Sequence, residues 1–352
     1  MKALLAILRK LSLGVGLIVA AGGVLLFSDP GAKTPAANRT LKVALANFSS
    51  TVTLEEGQQG LLDGLAEQGF IDGQNMKVTR YNAETDRATA VAIAKDVVSR
   101  DFDLILTVST AMLQAVANAN KETERTHVFA ITTDPWGAGI GVSRENPSDH
   151  PPYMTGYGSL QPVAKLFRLA RDANPGLTRV GVVWNPSESN SEASTVMARR
   201  ICKELGIELV EVTVDSPAGV AEAANAVVAR GVEAIWAGGD VTVGVAFDSV
   251  VAAANSRQIP VFSNMPDYAQ NGALFSLGAN YHEIGRVCGH LAAKILRGTS
   301  PASIPVENFL PEQLALNTAT LKKIDPEWKI PREWLDRADI VVDESGARKK
   351  SR

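Results

Sequence analysis

Short apolar runs alternate with longer stretches of helical periodicity along this chain, and the alternation passes through two rounds. In the first, the run 41–46 (LKVALA) gives way to a polar loop and a helical pattern over about 54–68, closed by Gly69. Runs at 76–81, 104–108 and 127–131 follow, separated by helical patterns over 85–99 and from Ser109 to about Lys121. The second round has apolar runs at 179–184, 208–214, 234–237 and 260–263, with helical patterns over 192–205, 217–229 and 242–255 between them. An apolar run of this kind, without polar alternation, suits a strand buried on both faces. A helix between two such strands is the crossover that parallel pairing requires. The expected architecture is therefore α/β, with two doubly wound parallel-sheet lobes joined by a multi-strand hinge. Lobe one is expected over 36–155 with a returning segment 280–306, and lobe two over 156–279 with a return over about 307–345.

The stretch 179–192, RVGVVWNPSESNSE, anchors the functional reading. Its valine-rich run stops at Asn185-Pro186, because proline lacks an N–H and restricts the residue before it. Ser187, Glu188, Ser189, Asn190 and Ser191 then precede the helix expected from Glu192. Hydroxyls and an amide thus fall between the carboxyl end of a strand and the amino end of a helix, the crevice where open α/β sheets bind ligands. Free N–H groups at the helix start supply partial positive charge for an anion. The same residue types also serve as helix caps and loop solvation. Binding is favoured because loops of the same kind end the strands of the first round.

Candidate ligand contacts are accordingly Asn47, Phe48 and Ser49 after the first strand, Ser109, Thr110 and Ala111 after the third, and Asp134 after the fourth. The second round adds Ser189, Asn190, Ser191, Asp240 and Asp267, and Tyr157 lies where the two rounds meet. Asp240 follows two glycines that let the backbone approach, which suits an ammonium; it serves equally as a helix cap beside Thr242. Ser109, Thr110 and the helix-start N–H groups suit a carboxylate. The aromatics Phe48, Trp136, Tyr157, Tyr268 and Tyr281 fall near strand ends or crossings and suggest a pocket for an apolar or aromatic side chain, with Trp136 and Tyr281 read as lobe packing.

Composition removes several alternatives. The 352 residues are 45% hydrophobic and 21% charged, enough for two cores, and a net charge of -3 gives no footprint for nucleic acid. Two cysteines, Cys202 and Cys288, are too few for a disulfide framework and read as small buried hydrophobes. Four histidines without a Cys/His cluster suggest no metal site and no cofactor. Asp134, Asp240 and Asp267 are imaginable as acid–base groups, but no nucleophile motif or glycine-rich dinucleotide fingerprint accompanies them, so no catalytic residue is assigned. At the start, Lys2, Arg9 and Lys10 precede an apolar stretch over 11–27, the pattern of an export signal, with 1–35 read as signal peptide or membrane anchor plus linker. The positive charges place that end on the cytoplasmic side and the remainder outside.

Seven segments in order carry a family resemblance. They are Gly60-x-x-x-Gly64-Leu65 with Gly69-Phe70, Asn82-Ala83-Glu84, Thr133-Asp134-Pro135 with Gly137-Ala138-Gly139, Gly156-Tyr157, Asn185-Pro186 with Asn190-Ser191, Gly285-Arg286, and Leu335-x-x-Ala338-Asp339. Over about 41–342 the chain resembles the ABC-transporter substrate-binding family that includes tryptophan- and tyrosine-type binding proteins. It departs at Asp240-Val241-Thr242, where the family commonly has Asp-Asn-Thr, and it lacks the lipobox cysteine often seen in Gram-positive members. The resemblance implies a type I periplasmic binding fold, a small amino-acid-like ligand in the interlobe cleft, hinge closure, and delivery to a membrane ABC permease by a monomer in the periplasm or another extracytoplasmic space. The rival reading is a membrane-anchored ligand sensor that presents its bound molecule to a signalling partner.

Overall fold

The computed structural model describes residues 39–350. Its chain begins as β1 (Leu41–Asn47), α1 (Val52–Glu67), β2 (Met76–Asn82), α2 (Arg87–Ser99), β3 (Leu104–Val108), α3 (Thr110–Ala119), β4 (His127–Thr132) and β5 (Met154–Gly158). These strands form one parallel sheet in the order β5-β4-β3-β1-β2. All of β3 and β4 is buried, as helices covering both faces demand, whereas β2 at the sheet edge has an alternating start.

The second sheet is built from β6 (Arg179–Trp184), β7 (Glu208–Thr213), β8 (Ala234–Ala237), β9 (Val261–Ser263) and β10 (Phe275–Ala279), parallel in the order β10-β9-β8-β6-β7. Its helices are α4 (Val163–Ala173), α5 (Ser189–Leu205), α6 (Val220–Ala229), α7 (Val241–Val245) and α8 (Phe247–Asn255). Next, α9 (Tyr281–Leu296) packs back on α1, and β11 (Glu307–Asn308) pairs with β5 in the first sheet. The chain returns as β12 (Glu312–Asn317), antiparallel to β10, and ends with β13 (Ile340–Asp343) and β14 (Gly346–Lys349). Two parallel-sheet lobes are thus linked by three crossings: after β5, before α9, and between β11 and β12.

Glycine explains the seam that brings α9 to lobe one. A Cβ on Gly60 would lie 2.0 Å from the His282 carbonyl oxygen, and one on Gly285 would lie 2.0 Å from that of Gly57. Backbones this close exclude any side chain. The Gly60-x-x-x-Gly64 and Gly285 segments therefore set helix packing, and that packing holds Tyr281 against the cleft.

Two sequence expectations need adjustment. The helix after β6 starts at Ser189, so Asn190 and Ser191 lie in its first turn rather than in a loop. The pattern over 242–255 is two helices, broken at Ala246. Val91 and Val196, apolar positions of the helical patterns over 85–99 and 192–205, are 48% and 53% exposed. Both cysteines are buried, and burial pushes each thiol up to about 12. The apolar stretch 11–27 lies outside the described residues, among which no helix is long and apolar enough to cross a membrane.

Candidate ligand site between the lobes

The carboxyl ends of both sheets open onto one cleft, with about 550 Å³ of empty space including its mouth. Lobe one lines it with Thr51, Thr53 and Leu54 at the start of α1, Ser109 to Ala111 at the start of α3, and Ile131 and Thr133 around the end of β4. Lobe two contributes Asn190, Gly239 to Val241, Gly244, Met265 and Tyr268, and Tyr281 opens α9.

Two residues of the lobe-one wall hold strained backbone. Ser109 has φ 90°, and Ile131, a β-branched residue, has φ 52°. Such conformations persist only where surrounding structure enforces them, and they cluster at functional sites. At Ile131 the strain accompanies a register shift between β4 and β5. At Ser109 it lets the side chain cap α3: Oγ accepts the Met112 N–H at 3.2 Å, while Thr110 Oγ1 accepts the Thr133 N–H at 3.3 Å. An α-helix start ringed by hydroxyls is suited to a carboxylate.

The lobe-two wall is acidic. Asp240 Oδ1 accepts the Val243 N–H at 2.8 Å, and Oδ2 accepts the Asn185 N–H at 2.6 Å and the Ser191 hydroxyl at 2.5 Å. Behind it, Glu188 Oε2 accepts from Val241 N–H at 2.9 Å and Asn190 Nδ2 at 3.2 Å. Its Oε1 accepts from the Thr242 N–H at 2.9 Å and the Thr242 hydroxyl at 2.5 Å. Both carboxylates are 4% exposed. Burial, then the nearby charge of Glu188, raises Asp240 to about 7. Asp267, reached by Thr53 Oγ1 at 3.3 Å across the lobes, is pushed up to about 6, chiefly by burial. Tyr281 donates to Met265 Sδ at 3.6 Å and accepts from Gln161 Nε2 at 2.5 Å, and burial raises its hydroxyl.

Of the residues singled out from sequence, the structure brings Ser109, Thr110, Ala111, Asn190 and Asp240 together on the cavity wall. Ser191 stands behind them, bonded to Asp240, and Asp267 sits at the Thr53 contact. The others go elsewhere. Asn47 folds its own loop, donating to the Ser49 carbonyl at 2.7 Å and accepting the Phe48 N–H at 2.8 Å. Phe48 packs into the core beneath α2 and α3. Asp134 pairs with Arg144 at 2.6 Å, and Tyr157 packs on Phe309 with ring centroids 5.9 Å apart. Ser189 Oγ is buried without a hydrogen-bond partner among the described residues. Tyr281 lines the cavity, contrary to its reading as packing alone. The sequence reading missed Thr51, Thr53, Leu54, Ile131, Thr133 and Met265. Thr133 directly follows β4 and Met265 comes two residues after β9, which is a usable signal; Ile131 inside an apolar run gives none.

Two α/β lobes, three crossings and a cavity at the facing strand ends define a two-lobed binding-protein fold. Residues 42–341 match the family described as ABC transporter substrate binding protein, and the chain belongs to that family. It is 28% identical over 283 residues to the tyrosine-binding protein of Clostridioides difficile, covering 80% of each chain. A conserved domain protein from Vibrio cholerae is 32% identical, with a TM-score of 0.80 over 86% of this chain and 100% of that one. An ABC domain from Streptococcus pneumoniae in complex with L-Trp is 25% identical, with a TM-score of 0.77 over 85% of this chain and 100% of the other.

Proposed function

We propose that this protein is the extracytoplasmic solute-binding component of an ABC importer, capturing an aromatic amino acid between its lobes and delivering it to a membrane permease. One observation carries the reading: a single cavity joins the hydroxyl-ringed start of α3 to the buried carboxylate of Asp240. That pairing of donors and acceptor matches the two charged ends of an α-amino acid. Leu54, Ile131, Met265, Tyr268 and Tyr281 supply the apolar and aromatic remainder of the wall. The tyrosine-binding relative and the L-Trp complex support the same ligand class.

Contacts between the lobes support closure around the ligand. Arg87 of α2 donates to the Ser187 carbonyl of lobe two, and Thr53 donates to Asp267. A ligand favours closure through contacts made in the closed state alone, and these two join whatever it makes itself. The protein acts as a monomer and binds without turnover. The test is thermal denaturation against the twenty amino acids. A ligand at about 100 times its Kd raises stability by about 2.7 kcal/mol. L-tyrosine or L-tryptophan is expected to raise Tm most; no shift with any amino acid refutes the reading, and product formation refutes binding without turnover.

A further inference from the structure

Glu188 and Asp240 form an acidic pair inside the cleft wall, and their hydrogen bonds divide unequally. An ionised carboxylate offers about four lone-pair positions. Glu188 has all four filled, by the Val241 and Thr242 N–H groups, Asn190 Nδ2 and the Thr242 hydroxyl. Asp240 has three filled, by Asn185 N–H, Ser191 Oγ and Val243 N–H, and the vacant position is on Oδ1. Among the described residues no lysine, arginine or histidine forms an ion pair with either. Arg87 from α2 stops at the carbonyl of Ser187. The titratable group facing the pair from another element is Tyr268, on the turn after β9, with Asp267 and Tyr281, at the start of α9, beside it. None of these brings a positive charge.

Two buried negative charges without a cation are unfavourable, so one must be neutralised. Glu188, with four donors, is the better anion. A proton is therefore best placed on Oδ1 of Asp240, the position its protein partners leave unfilled on a residue that lines the cavity. We propose that the cleft selects its ligand by a protonated amine, and that this amine displaces the proton on Asp240 Oδ1, so that capture releases a proton to solvent. The exchange balances: the neutral carboxyl and the ammonium become a carboxylate–ammonium pair, and one proton leaves. This deepens the amino-acid reading and rests on it. The carboxylate of the ligand, at the start of α3, contributes affinity but no proton exchange.

Titration calorimetry with L-tyrosine and L-tryptophan in phosphate and in Tris at one pH tests the idea. The binding enthalpy is expected to differ between the buffers in proportion to the protons released, and affinity to fall by up to about tenfold per pH unit below pH 7. Asp240→Asn has no proton to give, so its binding is weaker and its enthalpy independent of buffer. Tryptamine, with the amine alone, is expected to bind; indole-3-propionate, with the carboxylate alone, is not. Buffer-independent enthalpy with a flat pH profile in the wild type overturns the proton exchange while leaving amino-acid binding intact. Indole-3-propionate binding as well as L-tryptophan overturns selection by the amine. No binding of either amino acid overturns both this proposal and the reading beneath it.

Discussion

Replacing Asp240 with alanine separates its role as a helix cap from its role toward the ligand. The change removes the acceptor of the Val243 N–H, the Asn185 N–H and the Ser191 hydroxyl. Loss of an N-cap costs about 0.5–2 kcal/mol, and donors left unpaired in a buried loop about 1–3 kcal/mol. Relief of a buried carboxylate beside Glu188 offsets part of this. The expected net loss is about 1–3 kcal/mol, which lowers Tm by several degrees and leaves the fold intact. Binding responds separately. A hydrogen bond to a charged group contributes about 1.5–3 kcal/mol, so affinity for L-tyrosine or L-tryptophan is expected to fall roughly tenfold to a hundredfold. Asp240→Asn keeps the Oδ1 cap on the Val243 N–H, but removes the charge and turns the acceptor facing the Asn185 N–H and the Ser191 hydroxyl into an amide donor. It is expected to show a comparable loss of affinity with a smaller drop in Tm. Calorimetric melting and isothermal titration on the two variants read both quantities. If Asp240→Ala loses stability but binds with wild-type affinity, Asp240 is only a helix cap and the ammonium lies elsewhere.

Three further outcomes are expected. Asp240 and Asp267 are raised to about 7 and about 6, so their contribution to stability is full below about pH 4 and is lost as pH rises through 6 and 7. His127, fully buried and lowered to about 3, has the opposite sign, losing its contribution as pH falls below about 6.5. The cleaner readout is therefore the Tm of ligand-free Asp240→Asn relative to wild type, which should rise between pH 5 and 8; a constant difference contradicts it. Gly60→Ala drives a Cβ into the His282 carbonyl and is expected to cost about 1–3 kcal/mol, seen as a lower urea midpoint, unless α1 and α9 separate freely. Arg87→Ala removes the contact to Ser187 across the cleft and should weaken ligand binding about fivefold, mainly through faster dissociation in stopped-flow measurements. Unchanged dissociation shows that the contact does not hold the lobes closed.

The alternation of apolar runs and helical stretches determined the α/β class and the two parallel sheets, because burial on both faces leaves no polar alternation in a strand such as β4. It also placed Ser109, Thr110, Asn190 and Asp240 at strand ends, where a helix start or a tight turn follows. Sequence alone left Asp240 divided between cap and ligand contact, since both roles use the same atoms at the same kind of position. The rest depended on contacts between distant segments. Asn47 and Asp134 have the right chemistry at the right kind of loop, but one is taken up by its own turn and the other by Arg144. Ile131 reads as one more buried strand residue until the register shift turns it to the cavity wall at positive φ. Tyr281 reaches the cleft because glycines in α1 and α9 let two backbones meet 222 or more residues apart in sequence, for example at Gly60 and His282. Local pattern decides which residues form strands and caps. Which loops share one cavity is set by long-range packing, and in this protein only the tertiary structure decided it.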